Sequence, residues 1–315
     1  MISPGYQALH HGAAFVDATG RGKIRVSGDD RARLLHAMTT NHVEGLQSGH
    51  CLYAFFLNSQ GRILADVNIW NMGESLLLDT EPSTAQLVFE HLDKFIIADD
   101  VALMDETAGT ASIIVDGPNA VAVVEKAGLP VPEVNQVAEK NGISIARTKS
   151  ISICCSLDEK SALMTKLRDA GAVDASSDDL LVFHLEQQVP RFGVDFSDKH
   201  IAQETNLMHA IHFKKGCYLG QEIVERVRSR GLVNRLLTPL SIEGTEVPAM
   251  GTEILSAATP VGKITSAAFS PTAGKVLAFG YVRAEIIRNQ SIAGSPKLMV
   301  GEAIAQILKN LEGNV

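Results

Sequence analysis

Lys214-Lys215-Gly216-Cys217-Tyr218-Leu219-Gly220-Gln221-Glu222, running on through Ile223 to Gly231, is the stretch around which this chain of 315 residues is organised. Gly216 and Gly220 bracket Cys217, Tyr218 and Leu219. Glycine accepts positive φ and a close backbone approach, so the stretch reads as a tight, shaped loop. Two lysines precede Cys217, and His209 and His212 lie within a few residues of it. Positive charge favours the thiolate, the reactive and metal-binding form of cysteine. A core cysteine normally has apolar neighbours; this one has charged and flexible ones.

Lys215 to Glu222 resembles the K-G-C-Y-x-G-Q-E motif of the YgfZ family of folate-binding proteins. That family is related to the glycine-cleavage T-protein (aminomethyltransferase) and to a mitochondrial iron–sulfur assembly factor. The resemblance continues through Arg226, Arg230-Gly231 and Asn234-Arg235, and more weakly along nearly the whole chain. It implies an α+β fold, with two similar α+β subdomains and a linking segment forming a T-protein-like folate-binding domain. A small C-terminal β-barrel would follow. It also implies tetrahydrofolate as cofactor and iron–sulfur client proteins, including tRNA-modifying enzymes, as partners. Cys217 would be a transient cluster ligand or nucleophile and Lys215 would tune it. Tyr218, Gln221, Glu222 and Arg226 would belong to the folate site, with Gln221 and Glu222 also orienting the thiol.

Length alone predicts two or three structural units. A hydrophobic fraction of 45% and a charged fraction of 20% are those of a soluble globular protein. The net charge of −8 argues against nucleic acid as the main ligand. The basic strip 226–235 suits an anionic small molecule instead. No signal peptide is expected from the first residues, and the apolar runs 52–57 and 75–78 are too short to cross a membrane. Cys51, Cys154, Cys155 and Cys217 form no C-x-x-C pair, so neither a disulfide framework nor a self-contained metal site follows. The cytoplasm is the expected compartment.

Along the chain, residues 1–20 read as a lead-in, and His10 and His11 receive no role. A strand at 23–27 precedes a helix opened by Gly28-Asp29-Asp30 and ending at Met38. Strand-like runs at 51–57 and 62–70 are joined by Asn58-Ser59-Gln60-Gly61, a hairpin signal, and 74–79 extends the sheet. Pro82 starts a helix to about residue 95. The grammar then repeats: a strand at 111–115, a helix to about 126, a hairpin over 143–155 and a helix over 158–170. Ser176-Ser177-Asp178-Asp179 caps a helix that should end before Pro190. A short helix over 205–213 is expected to deliver the cysteine loop, with His209 and His212 three apart but lacking further metal ligands. Short β-like runs at 237–242, 262–267 and 275–281, with no long helix between them, predict the barrel. The expected domains are 1–235 (subdomains about 20–100 and 111–175, cysteine loop 214–231) and 236–315.

Two carboxylates complete the candidate site. Glu186 lies in an apolar helix, where a lone carboxylate is expensive unless paired, and its two oxygens suit the forked N–H donors of a pterin. Its segment resembles R-x-E-x-G-x-P-x-x-G-x-D, whose glutamate contacts the pterin in T-protein relatives. Glu186, Pro190, Gly193 and Asp195 match, while His184 and Gln188 replace the usual arginine and glycine. Asn58 to Asp66 resembles the hairpin on which T-protein carries adjacent aspartates; here the pair is Ala65-Asp66. Asp66 is therefore expected to support the hairpin, and one-carbon transfer by the T-protein route is disfavoured. No P-loop, dinucleotide fingerprint or H-E-x-x-H occurs. The leading expectation is a tetrahydrofolate-binding accessory protein of iron–sulfur assembly or repair. Its rival is a folate-dependent aminomethyltransferase or demethylase.

Overall fold

Strand, helix, three strands, helix, strand: this order occurs twice in the first half of the chain, as the computed structural model shows. The structure describes residues 2–231, 233–293 and 297–309. It opens with α1 (Pro4–His11), where Ser3 accepts a hydrogen bond from the Tyr6 N–H and Pro4 needs no donor. Strand β1 (Ala14–Asp17) follows. The expected lead-in is thus folded. The first repeat comprises β2 (Gly22–Ser27), α2 (Arg31–Met38), β3 (Cys51–Leu57), β4 (Ile63–Asn71), β5 (Leu76–Thr80), α3 (Ala85–Asp93) and β6 (Ala102–Asp105). The second comprises β7 (Thr110–Asp116), α4 (Ala120–Lys126), β8 (Gln136–Lys140), β9 (Ile143–Arg147), β10 (Ile151–Ser156), α5 (Lys160–Ala170) and β11 (Val173–Asp174).

The sheets share one plan. The first runs β3-β4-β5-β2-β6; the second runs β8-β9-β10-β7-β1-β11, the equivalent order with β1 inserted. In each, alternate strand residues face the helices. Ile24, Val26, Val67, Ile69 and Leu78 meet Leu34, Leu35, Val88 and Leu92, and Phe15, Ile113, Val115 and Ile153 meet Val124, Leu163 and Leu167. The intervening residues Trp70 and Leu77 meet Val137, Ala146 and Cys154, so the helix-free faces of the sheets pack together. That seam also buries Lys23, whose Nζ donates to Asp79 Oδ1 at 2.7 Å and to Ser112 Oγ at 2.8 Å. A buried ammonium is tolerable there because both partners are in place.

Internal contacts divide the chain into two compact units. One holds Met1–Ser59, Leu64–Leu180 and His209–Gln221; the other holds Gln60–Ile63, Leu181–Met208 and Glu222–Val315. Helix α6 (Ser177–Glu186) has its cap as the sequence indicates: the Asp179 N–H donates to Ser176 Oγ and the Ser176 N–H to Asp179 Oδ2. The helix expected over 205–213 is not formed. The segment holds two short 3-10 turns, Ala202–Thr205 and Met208–Ala210, with Asn206 between them at φ 62°. His209 and His212 therefore share no helix face. Helix α7 (Gln221–Arg230) follows the cysteine loop directly.

The barrel is closed, in the order β12 (Arg235–Ile242), β15 (Lys275–Arg283), β14 (Thr259–Ser270), β13 (Glu253–Ser256), β16 (Leu298–Val300) and β17 (Ala303–Ile307). Closure leaves no open edge. A helix, α8 (Ala284–Ala293), follows the last of the expected β-runs, and its Ile286 and Ile287 pack against the barrel core. Parts of the C-terminal expectation that fall on 294–296 and 310–315 lie outside the described residues.

Candidate functional site

The cysteine loop is held by groups drawn from α2 and the turn after it. Lys215, buried despite its charge, donates through Nζ to the carbonyl oxygens of His36 (2.5 Å), Thr39 (2.6 Å) and Asn41 (2.8 Å). A helix C-terminus leaves its last carbonyls without intrahelical partners, and a cation there also meets the negative end of the helix dipole. Burial pulls the Lys215 pKa down to about 7, with Glu44 opposing. An ammonium has three protons for three carbonyls, whereas a neutral amine has two, so the cage works in favour of the charged form. The buried Tyr218 ring lies 4.7 Å from the same nitrogen. Lys215 and Tyr218 thus anchor the loop.

Only one of the two loop glycines is required by geometry. Gly220 has φ +83°, and an added Cβ would stand 2.7 Å from the Asn58 carbonyl oxygen. At Gly216 a Cβ would meet nothing closer than His36 Nε2 at 3.7 Å. Between them Cys217 is exposed, whereas Cys51, Cys154 and Cys155 are buried. Burial pushes the thiols of Cys51 and Cys155 up to about 11 and that of Cys154 in the same direction. The Tyr218 N–H meets Gln221 Oε1 at 3.4 Å.

Asp66 is more than a polar strand residue. On β4 it accepts a hydrogen bond from the Tyr53 hydroxyl through Oδ2 at 2.9 Å. Its Oδ1 is shut off from solvent and has no hydrogen-bond partner among the described residues, although the residue as a whole is only half-buried. Desolvation, reinforced by Glu81, raises its pKa to about 6 against the pull of Tyr53 and Arg21. A carboxylate poised near neutrality is a candidate proton carrier.

In the second unit, the half-buried Glu186 ends α6 and accepts from the Ser270 hydroxyl at 2.6 Å. Asp195 is buried and holds its own segment to β14. It accepts from Thr265 and Ser266 through Oδ1 and from the Arg191 N–H through Oδ2. Burial lowers the His184 pKa to about 4, so this side chain does not supply the cation that arginine brings at the equivalent place in the motif. Glu222 and Arg226 pair with each other at 2.6 Å on exposed α7. An exposed pair of this kind is weak and leaves Glu222 open to other partners.

Sequence reasoning missed Tyr53 and the two histidines, His36 and His42, that gather with His212 beside the loop. The His42 ring packs against both His36 (ring centroids 5.0 Å apart) and His212 (5.2 Å). The spacing His36-x5-His42-x-Glu44 was the available signal.

Comparison with known proteins places this architecture. Residues 2–133 match the GCVT N-terminal domain, and residues 235–294 match the glycine cleavage T-protein C-terminal barrel domain. The chain thus carries both T-protein domains in a T-protein-like fold. A crystal structure of the glycine cleavage system aminomethyltransferase T from Bartonella henselae superposes with a TM-score of 0.87, covering 98% of this chain and 88% of that one at 21% identity. An aminomethyltransferase of Nostoc sp. is 24% identical over 91% of this chain and 81% of its own length. The mitochondrial iron–sulfur cluster assembly factor IBA57 homolog of Mycosarcoma maydis is 30% identical over 73% of this chain and 58% of its own length. Among the described residues no helix is long and apolar enough to cross a membrane.

Proposed function

We propose that this protein binds tetrahydrofolate and serves iron–sulfur cluster assembly or repair in the cytoplasm through Cys217, in the manner of the YgfZ family. The clients would include tRNA-modifying enzymes. The observation that carries the reading is the contrast among the cysteines: three are buried, and Cys217 is exposed on a loop fixed by the Lys215 cage and by Gly220. Similarity to an iron–sulfur cluster assembly factor supports the same direction.

Tetrahydrofolate suits the acceptors present. A pterin edge offers N–H donors, and Asp66 Oδ1 is a buried acceptor without one among the described residues. Within its own unit, and considered by itself, Glu186 is a carboxylate acceptor that Ser270 orients. When bound, the folate supplies nitrogen atoms that accept a one-carbon unit. The protein's own part is to bind and orient it, with Asp66 able to hold a proton near neutral pH.

The test is anaerobic calorimetry with tetrahydrofolate on the wild type, Glu186→Ala, Asp66→Asn and Cys217→Ser, joined to rescue of iron–sulfur enzyme activity in cells lacking the protein. Cys217→Ser should bind folate normally and fail to rescue; rescue by this variant removes the thiol from the function. The second reading is a folate-dependent aminomethyltransferase, favoured by the raised pKa of Asp66. Turnover of an aminomethyl donor with tetrahydrofolate, abolished in Asp66→Asn, would establish it.

A further inference from the structure

We infer that His36, His42 and Glu44 form a binding site for one first-row divalent transition-metal ion beside the cysteine loop. One ring nitrogen from each histidine and one Glu44 oxygen all lie within 4.8 Å of one another. Bonds of about 2.0–2.2 Å to such an ion hold ligand atoms roughly 3–4 Å apart, so a shift of about an ångström closes the set. The side chains that must move, His42 and Glu44, are exposed, and buried His36 is the fixed member. The Glu44 backbone N–H donates to His36 Nδ1 at 3.3 Å, a long bond that holds Glu44 at the edge of the ring. Ligation through that nitrogen would displace this bond, and the same nitrogen already lies 3.8 Å from Glu44 Oε2.

Two further observations mark the place. His212 packs against His42, and its Nδ1 is buried with no hydrogen-bond partner among the described residues. It is the natural additional ligand or orienting group. The loop backbone passes close as well, since a Cβ on Gly216 would lie 3.7 Å from His36 Nε2. Lys215 is the adverse charge, but its protons point at the three carbonyls. Two imidazoles and one carboxylate with open positions suit Fe(II) and Zn(II) and disfavour Mg(II) or Ca(II), which take oxygen ligands. This site needs neither folate nor the Cys217 thiolate.

The experiment uses the full chain, stripped with chelator and titrated anaerobically with Zn(II) and with Fe(II), metal content being read after equilibrium dialysis. The wild type should retain about one ion per chain at micromolar free metal. His42→Ala and Glu44→Gln, both at exposed positions, should each weaken binding at least about tenfold, while Cys217→Ser leaves it unchanged. Circular dichroism checks that each variant is folded. Two results would overturn the site: affinity unaltered by His42→Ala and Glu44→Gln, or loss of the ion in Cys217→Ser alone, which would make it a thiolate-held metal.

Discussion

Replacing Asp66 by asparagine tests how the carboxylate is held. Its pKa is raised from 3.8 to about 6, so between those values the folded protein carries a proton that the unfolded chain has already lost. Stability must then fall as pH rises from about 4 to 6, and the loss is complete above 6. At about 1.4 kcal/mol for each tenfold change, the gap is worth up to about 3 kcal/mol; residual exposure of the residue reduces this to roughly 1–3 kcal/mol. The asparagine side chain carries no charge and can still accept from the Tyr53 hydroxyl, so the neutral variant escapes the penalty but loses the stronger, charge-assisted bond. A net gain of about 1–2 kcal/mol at pH 7–8 is expected for Asp66→Asn, with a flattened profile between pH 4 and 6. Trp70, the single tryptophan, is buried on the same strand, so its fluorescence in urea reports the unit that holds Asp66. Parallel pH profiles for the two proteins, or a variant less stable than the wild type at pH 7.5, would refute the reasoning. A carboxylate kept at a cost in stability is what a functional site shows.

Three further outcomes are expected. Glu186→Ala should weaken tetrahydrofolate binding by about 1.5–3 kcal/mol by calorimetry, and Ser270→Ala by about 1 kcal/mol through the lost orienting bond. Cys217 should be alkylated faster at neutral pH than Cys51, Cys154 or Cys155, read by mass spectrometry on the native protein; equal rates would mean that the loop closes over the thiol. Lys215→Met should strip the His36 and Thr39 carbonyls of their cation and destabilise the loop by about 1–3 kcal/mol, seen as faster amide exchange over 36–41 and 215–219. Unchanged exchange with slower alkylation would restore Lys215 to the role of thiol tuner.

The sequence by itself determined the repeated α+β units, the β-rich C-terminal part and the glycine-shaped turn at Gly220. Those features are written locally, in alternating apolar residues, the Asn58-Ser59-Gln60-Gly61 turn, the Ser176–Asp179 cap and the spacing of Gly216 and Gly220. Three features escaped the local pattern for one reason: α1, the absence of a helix over 205–213, and α8 after the last expected β-run. Each is a short segment whose propensity is too weak to decide against packing, as where Ile286 and Ile287 find the barrel core. Only the tertiary structure decided what the site residues do. Lys215 and the three carbonyls it caps lie more than 170 residues apart in sequence, and Asp66 owes its raised pKa to burial and to Glu81 on the neighbouring chain segment. Burial and charge proximity are properties of the folded neighbourhood, and no local pattern encodes them.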